Sequence, residues 1–449
     1  MTELVRDSDV AAGPLAARVK RKVYLNVILP LFLASVIAYI DRINIGYAAL
    51  TMNADLGFNP EVFGRGAGIF FAGYDLFEIP GALIAERYSR RLWLARIMVS
   101  WGIVSVLMAF MRTELHFLVL RFLLGAAEAS LYPVIYASFI PRWFARADRA
   151  RAIALLLTSL QISSIVGAPL AGWLLGVTFL GLKGWMCLFI LEGIPAIVFG
   201  VVLSQWLADD PETARWLTPE EKAFLVDQYV REREAAMAER RYTVLQALSD
   251  PNVLKLSLIY FLWITGFWGF NYWMPQVLKG LSGWSPLAIG LITLVPMGAS
   301  LAFMLFIGHS SSKTGEKRWH GAICMFLGAI GLGAGAFVHD FGVSFVFLVV
   351  TALGVYGAFG VWWSFPTTFL SGAAAAGAVG LINSAGNVGG FVGPYVTGWI
   401  KNRTGAFTQA WAYLAGSLFL AGVLILTFSK LRDAPPSSVA RPGADPPPS

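Results

Sequence analysis

Long apolar runs separated by short charged segments dominate the chain from end to end. Most runs are about 20 residues long, which is the length that an α-helix needs to cross the hydrocarbon core of a bilayer. Because backbone groups inside a bilayer must be satisfied within their own segment, these runs predict helices. The pattern predicts twelve helical spans, near residues 25–49, 64–86, 92–112, 117–138, 152–177, 185–206, 253–278, 286–308, 319–338, 343–370, 378–400 and 407–429.

One long polar stretch, residues 207–250, divides the twelve spans into two groups of six. Within it, the sequence Thr-Pro-Glu-Glu at 218–221 combines a capping residue, a first-turn proline and first-turn acids, which is typical of the start of a surface helix. We therefore predict an all-α membrane protein with the following parts: a tail over 1–22, a six-helix half over 23–206, a connecting loop over 207–250, a second six-helix half over 251–430 and a disordered tail over 431–449.

The two groups of six share an internal repeat at a displacement of 226 positions. The repeated positions are Gln161 with Asn387, Val166-Gly167 with Val392-Gly393, Gly172-Trp173 with Gly398-Trp399, Arg87 with Lys313, and Trp93 with Trp319. Such duplication is typical of transporters that bind their substrate between two six-helix halves. We expect two pseudo-symmetric halves around a central site.

Composition and charge agree with a membrane protein. Charged residues make up 14% of the chain, whereas soluble domains average about 25%. The net charge is +7, and the Lys and Arg residues of the chain are concentrated in alternate loops. By the positive-inside rule, this places both termini and residues 207–250 in the cytoplasm and accounts for the basic charge without a nucleic-acid partner. We predict a multi-pass protein of a bacterial inner membrane.

Several motifs resemble the major facilitator superfamily, and within it the anion:cation symporter family of bacterial tartrate, phthalate, hydroxyphenylacetate and sugar-acid permeases. The resemblance covers nearly all of residues 20–430. The motifs that carry it are Tyr39-Ile-Asp41-Arg42-Ile-Asn44-Ile-Gly46, Gly73-Tyr74 with Phe77-Glu78-Ile-Pro80, Arg121-Phe-Leu-Leu-Gly125-Ala-Ala-Glu128, Ile382-Asn383-Ser384-Ala-Gly386-Asn387, and the basic segment from Glu86-Arg87 to Arg90-Arg91. The basic segment departs from the family pattern at Glu86 and Ser89, where Asp and Gly are usual.

Charged residues inside the spans are the main candidates for function. A charge at the middle of a bilayer costs about 2.5–3.5 kcal/mol on insertion scales, so each one needs a partner or a watery cavity. The charged residues within spans are Asp41, Arg42, Asp75, Glu78, Arg121, Glu128 and Glu192. Their number suggests that some of them bind substrate or protons, and the sequence leaves the roles of Asp75, Glu78 and Glu192 open.

Asp41 and Arg42 are adjacent and therefore point about 100° apart on their helix, so we expect one to face the substrate and the other a neighbouring helix. Asn44, three residues after Asp41, shares its face. Arg121 and Glu128 are seven residues apart and also share a face. Arginine guanidinium groups bind carboxylates, and a buried carboxylate can carry a proton.

The resemblance implies specific roles for several of these residues. It places proton coupling on Asp41 and Glu128, and substrate contact on Arg42, Tyr74, Gln161 and Asn383. To the substrate contacts we add Asn44, Arg121 and Asn387. Glu86, Arg87, Arg90 and Arg91 would form a basic loop that takes part in gating. A further hypothesis is an aromatic wall opposite the anion-binding groups, formed by Trp268, Tyr272 and Trp362, although aromatic residues in spans more often serve packing.

The expected activity is import of a small organic carboxylate, either a hydroxy-dicarboxylate or an aromatic acid, by proton symport with alternating access. An exchanger or uniporter of the same fold and a sugar-acid symporter (aldonate or uronate) remain alternatives. Neither the two cysteines nor the four histidines have metal-ligand spacing, and no phosphate-binding loop is present. We expect no metal, no cofactor and no enzymatic activity; the partners would be the anion, protons and lipid.

Overall fold

The computed structural model describes residues 13–238, 249–366 and 372–428. The predicted C-terminal tail, the start of the N-terminal tail, part of the connecting loop and the end of the tenth predicted span lie outside the described residues. The helices in chain order are α1 (Gly13–Leu56), α2 (Pro60–Arg87), α3 (Arg90–Met108), α4 (Glu114–Trp143), α5 (Arg146–Leu157 and Ser159–Leu174), α6 (Gly184–Trp206), α7 (Pro219–Ala238), α8 (Pro251–Ser282), α9 (Pro286–Thr314), α10 (Arg318–Gly335), α11 (Phe341–Trp362), α12 (Gly372–Thr404) and α13 (Thr408–Leu426).

The predicted fold is confirmed: helices α1–α6 and α8–α13 form two pseudo-symmetric six-helix halves that α7 connects. Among the described residues, ten helices are long and apolar enough to cross a membrane by length and composition alone. The other two, α10 and α12, are rich in glycine and polar residues. Both pack within the bundle, α10 between α11 and α13 and α12 between α2 and α8.

Local sequence signals define the helix ends. Asn59 and Ser285 precede the prolines that open α2 and α9, and each side chain accepts a hydrogen bond from the backbone N–H three residues later. Gly57 and Gly283 end α1 and α8 in the left-handed conformation, with φ values of 69° and 68°. Glycine adopts this conformation without the steric cost of a Cβ. Each of these pairs is separated by the 226 positions of the sequence repeat, so the halves start and stop alike.

The helices alternate in direction, so their ends form two faces. We call one the basic face; it carries the starts of α1, α3 and α5 and the α2–α3 connection with Arg87, Arg90 and Arg91. The other, which we call the far face, carries the α1–α2 connection at residues 57–59 and the α8–α9 connection at residues 283–285.

At the far face, the two halves approach each other through glycine. A Cβ on Gly64 of α2 would lie 2.5 Å from the backbone oxygen of Pro394 on α12, too close for any residue but glycine. The pseudo-symmetric contact pairs Gly290 of α9 with the backbone of Ala168 on α5. Gly64 and Gly290 are separated by 226 positions, and so are Ala168 and Pro394. The halves are therefore closed against each other at this face.

The repeat residues Gly172 and Gly398 complete the same closure. Gly172 of α5 packs against the backbone of Pro286 at the start of α9. A Cβ on Gly172 would lie 2.5 Å from the carbonyl oxygen of Pro286. Gly398 of α12 packs in the same way against Pro60 at the start of α2. The recurrence of these glycines in the sequence thus reflects two equivalent backbone contacts between the halves.

On the basic face, α7 is attached to the start of α1. Glu221, whose side chain has no exposed surface, accepts hydrogen bonds from Lys22 (2.7 Å) and Arg18 (2.9 Å) and from the backbone N–H of Thr218 (2.9 Å). Although burial raises the pKa of a carboxyl group, these donors outweigh it and lower the pKa of Glu221 to about 2. α7 begins at Pro219, as the sequence predicts.

Candidate functional site

A cavity of about 420 Å³ lies between the two halves, on the basic-face side of Arg42. Seven helices contribute to its wall. The residues that line it and carry polar or aromatic side chains are Tyr39, Arg42, Phe71, Tyr74, Glu78, Tyr132, Tyr136, Tyr260, Phe267, Trp268, Phe359, Trp363, Asn383 and Asn387. Its volume suits a small organic molecule, and its aromatic wall surrounds one guanidinium group.

Arg42 is the cation of this cavity. Its guanidinium forms a salt bridge with Glu128 of α4, and Arg42 remains only 8% exposed. The guanidinium carbon lies over four aromatic rings, at 5.1 Å from the centroid of Phe70, 5.1 Å from Tyr74, 5.7 Å from Tyr132 and 5.9 Å from Trp268. Within the described part of the chain, Nε of Arg42 has no hydrogen-bond acceptor. The salt bridge with Glu128 thus leaves part of the hydrogen-bonding capacity of the guanidinium unused, in a setting where water screens charge poorly.

Glu128 sits directly before an interruption of α4. The α-helical hydrogen-bond pattern stops at this residue, and Ser130 has a φ of 70°, which is unusual for a residue other than glycine. The Ser130 hydroxyl accepts a hydrogen bond of 3.0 Å from the Trp93 indole of α3. At this break, Glu128 pairs with Arg42 on α1.

Asp41 points away from the cavity, toward α3. Its Oδ1 accepts a hydrogen bond of 2.7 Å from the Ser105 hydroxyl, and the residue is 1% exposed. Asn44 follows the same direction and donates a hydrogen bond of 2.6 Å to Glu192 on α6. As the sequence predicts, Arg42 faces the cavity and Asp41 faces a neighbouring helix. Asn44 contacts α6 and is not among the residues that line the cavity.

Arg121 and Gln161, two predicted substrate contacts, are fully buried beside the cavity rather than on its wall. Arg121 donates to the backbone oxygens of Gly66 (3.1 Å) and Ala67 (3.3 Å) on α2. Gln161 donates to the sulfur of Met304 on α9 at 3.1 Å. In this conformation, both residues contact neighbouring helices.

Asn383 and Asn387 on α12 do line the cavity, and they face Glu78 on α2. The amide of Asn383 donates to Oε1 of Glu78 at 2.7 Å, and the amide of Asn387 donates to Oε2 at 2.9 Å. Asn387 also donates to Asp75 at 3.1 Å. These bonds join the two halves across the cavity. Glu78, whose role the sequence left open, is therefore part of the cavity wall.

The predicted aromatic wall is only partly assembled from the predicted residues. Trp268 lines the cavity, and Tyr272 stacks behind it at 4.9 Å between ring centroids. Trp362, the last residue of α11, stacks on Tyr260 at 5.2 Å between ring centroids, whereas Trp363, directly after α11, lines the cavity.

Sequence reasoning missed the tyrosines of this wall, namely Tyr39, Tyr132, Tyr136 and Tyr260. Tyr132 and Tyr136 are four residues apart, a spacing that puts both on one face of a helix and that could have indicated them. No metal-binding group of three or more His, Cys, Asp or Glu residues is found among the described residues.

The basic segment lies at the basic face, outside the cavity. Arg90 forms a salt bridge of 3.0 Å with Asp210, and Asp209 accepts a hydrogen bond of 2.9 Å from the backbone N–H of Arg91. Glu86 pairs with Arg90 at 3.6 Å, and Arg87 lies over the ring of Tyr88. These contacts attach the α2–α3 connection to the segment that follows α6.

Comparisons with known proteins agree with this architecture. A "Putative tartrate transporter" of Agrobacterium vitis is 41% identical over 95% of each chain, and the "Quinolone resistance transporter" of Acinetobacter baumannii is 34% identical over 91% of this chain and 94% of its own. The crystal structure of a D-xylose–proton symporter superposes with a TM-score of 0.71 at 16% identity, covering 90% of this chain and 97% of the other, which supports the fold alone.

Residues 31–394 match the family model for the Major Facilitator Superfamily. This match confirms the predicted superfamily. Together with the transporter names of the relatives, it also confirms that the protein is a membrane-embedded transporter rather than an enzyme. The chain belongs to the Major Facilitator Superfamily.

Proposed function

We propose that the protein is a secondary transporter that imports a small organic carboxylate together with a proton, by alternating access of the central cavity to the two faces. The observation that carries this proposal is the ion pair between Arg42, on the cavity wall, and Glu128, which is buried behind it. A guanidinium in an aromatic, poorly hydrated cavity is a strong carboxylate-binding group. Here an internal carboxylate already pairs with it, so a substrate carboxylate must compete with Glu128.

This competition couples substrate to protons. If Glu128 stayed ionised while a substrate carboxylate bound Arg42, one buried negative charge would lack a partner, which is costly in a low-dielectric site. Protonation of Glu128 removes that charge and frees Arg42. Proton binding and substrate binding therefore favour each other, which is the requirement for symport.

Asp41 is the second proposed proton carrier. It adjoins Arg42 in the chain, is buried, and accepts its hydrogen bond from a neutral hydroxyl rather than from a cation. A carboxylate in such surroundings gains from protonation. Because Asp41 lies behind Arg42 and outside the cavity wall, we assign it a role in coupling without substrate contact.

Two features support the substrate class. The relative from Agrobacterium vitis is named for tartrate, a hydroxy-dicarboxylate, and shares 41% of its residues with this chain. The cavity wall combines hydroxyl and amide groups with aromatic rings, which suits either a hydroxy-dicarboxylate or an aromatic acid. Tyr74, Asn383 and Asn387 are the proposed contacts besides Arg42.

The distribution of charge supports a topology. Lys and Arg are concentrated at the basic face, which we assign to the cytoplasm, together with both termini and α7. The far face, where glycine contacts close the halves, then faces the outside. With bacterial relatives, this supports a location in the inner membrane and an inward-facing conformation of this structure.

Uptake of labelled tartrate into proteoliposomes of the purified protein tests the function. An inward-directed proton gradient should accumulate tartrate, and a protonophore should abolish the accumulation. Accumulation that needs internal anion and ignores the gradient would instead indicate an exchanger. Equilibration without accumulation would indicate a uniporter.

A further inference from the structure

Glu78 and its two asparagines form a second place in the cavity where a carboxylate is bound. Both carboxylate oxygens of Glu78 accept hydrogen bonds from α12, at 2.7 Å from Asn383 and 2.9 Å from Asn387. Glu78 is 6% exposed and belongs to the first half, whereas both asparagines belong to the second. Two amide donors that converge on one carboxylate make a binding group for any carboxylate of that size.

This second group lies within reach of a ligand bound to Arg42. The Arg42 guanidinium sits over the ring of Tyr74, and Glu78 is one helical turn from Tyr74 on the same face of α2. Four residues advance about 6 Å along a helix. All of these residues line one cavity, so a short molecule with a carboxylate at each end can contact both binding groups.

Helix packing does not require the charge of Glu78. The displacement of 226 positions that relates the halves converts Glu78 to Met304 and Asn387 to Gln161. At the pseudo-symmetric position, Gln161 of α5 in the first half and Met304 of α9 in the second half make the equivalent contact at 3.1 Å. The pseudo-symmetric pair of helices, α5 and α9, therefore packs with a neutral methionine at this position, and the carboxylate at Glu78 needs another explanation.

Among the residues that the structure describes, the charged and titratable neighbours of Glu78 come from three helices. Asp75 and Tyr74 lie on α2, Arg42 lies on α1 and Tyr260 lies on α8. From α12 come the two neutral amides. Arg42 is paired with Glu128, and Asp75 adds a second carboxyl group near Glu78. An ionised dicarboxylate in this cavity would therefore face excess negative charge unless Glu78 became neutral.

We propose that Asn383 and Asn387 form a second carboxylate-binding group, which Glu78 occupies in this structure and yields, on taking up one proton, to the second carboxylate of a dicarboxylate substrate. The inference rests on the proposed function and extends it. The cavity then has two carboxylate-binding groups of the same design, each occupied by a carboxylate of the protein. Glu128 occupies Arg42, and Glu78 occupies the two asparagines. A dicarboxylate replaces both competitors, whereas a monocarboxylate replaces only Glu128.

The exchange conserves hydrogen bonds and charge. A proton from solvent joins one oxygen of Glu78, whose hydrogen bonds from Asn383 and Asn387 break. The two amide N–H groups then donate to the incoming substrate carboxylate. The negative charge that enters with the substrate equals the charge that the proton removes from Glu78. A dicarboxylate therefore binds with one more proton than a matched monocarboxylate.

Calorimetry of the purified transporter tests this difference. Tartrate and threonate of matching stereochemistry differ only in that threonate has a hydroxymethyl group in place of one carboxylate. Titrations of each ligand at pH 7 in phosphate and in Tris, two buffers of different ionisation enthalpy, give the number of protons taken up per ligand bound. For the wild-type protein we expect tartrate to take up one more proton than threonate. Equal numbers, or no binding of tartrate, would overturn the inference.

Variants locate the additional proton. In Glu78→Gln the difference in proton uptake between the two ligands should disappear. Glu78→Met, which copies the neutral residue of the second half, should also abolish the difference. Glu192→Gln is the matched control, since Glu192 is equally buried and bonded to an asparagine but lies outside the cavity wall.

Two further outcomes are decisive. If the difference persists in both Glu78 variants, or disappears in Glu192→Gln, the additional proton is not carried by Glu78 and the inference is wrong. If threonate binds the wild-type protein without any proton uptake, the proposed symport itself fails. These results are distinguishable because the first concerns a difference between ligands and the second concerns a single ligand.

Discussion

Gly46 of α1 and Tyr272 of α8 contact each other across the interface between the halves, and they are separated by 226 positions, the displacement of the internal repeat. A Cβ on Gly46 would lie 3.1 Å from the backbone oxygen of Tyr272. Two residues that are equivalent by symmetry and also touch must lie at the pseudo-twofold axis. Arg42 and Trp268 are another such pair, with the guanidinium 5.9 Å from the indole centroid, so the carboxylate-binding arginine is close to the axis as well.

Arg42→Lys should weaken carboxylate binding by about 1.5–3 kcal/mol, the value of a hydrogen bond to a charged group. Lysine keeps the charge but loses the planar set of donors that can bind a carboxylate with two hydrogen bonds. Calorimetric affinity for tartrate measures the effect. Arg65→Lys, at the far face, is the control and should leave the affinity unchanged. Wild-type affinity in Arg42→Lys would exclude this residue as the anion-binding group.

Glu128→Gln should abolish accumulation driven by a proton gradient yet preserve counterflow of substrate. Without an ionisable competitor, Arg42 is available at any pH, so the affinity of this variant for threonate should fall less steeply with rising pH than that of the wild type. Transport assays with and without a gradient, and binding at several pH values, measure both effects. Gradient-driven accumulation at the wild-type level would refute the role of Glu128.

Asp41→Asn should also uncouple transport while preserving counterflow. The asparagine can still accept the hydrogen bond from Ser105, so the local packing of α1 against α3 is kept. Because Asp41 does not line the cavity, substrate affinity should change less than in Arg42→Lys. Full gradient-driven uptake by this variant would eliminate Asp41 as a proton carrier.

Gly64→Ala should destabilise the conformation in which the far face is closed. The added Cβ would meet the backbone oxygen of Pro394 at 2.5 Å, and overpacking of this kind costs about 1–3 kcal/mol. Distances between spin labels on α2 and α12 at the far face should show a larger open population. Gly298→Ala is the control, because no described atom lies within 4 Å of the position that its Cβ would take. Equal open populations in the two variants would contradict the proposed closure.

Glu221→Gln should loosen the attachment of α7 to the start of α1 and lower the unfolding temperature at neutral pH. The pKa of Glu221 is about 2 in the folded protein, below its ordinary value. Its contribution to stability is therefore complete above the ordinary carboxyl pKa and is lost as pH falls toward about 2. The difference in unfolding temperature between wild type and variant should shrink over that range. A constant difference down to pH 3 would argue against the ion pairs as its cause.

The sequence by itself determined the fold, since the apolar runs, the charged loops and the displacement of 226 positions already predict two halves of six helices. It also indicated Arg42 and Glu128, because charges inside a bilayer are too costly to be incidental. The helix ends were also readable from the sequence, because capping residues act locally. The glycines of the repeat were readable because they recur in both halves.

Only the tertiary structure decided which polar residues share the cavity. Asn44 and Arg121 carry the same functional groups as Asn383 and Arg42, yet they contact α6 and α2 outside the cavity wall. Sequence spacing defines a face of one helix, but not which neighbouring helix that face meets. Glu78 shows the same limit, because its partners are more than 300 positions away in the chain and meet it only where the two halves pack together.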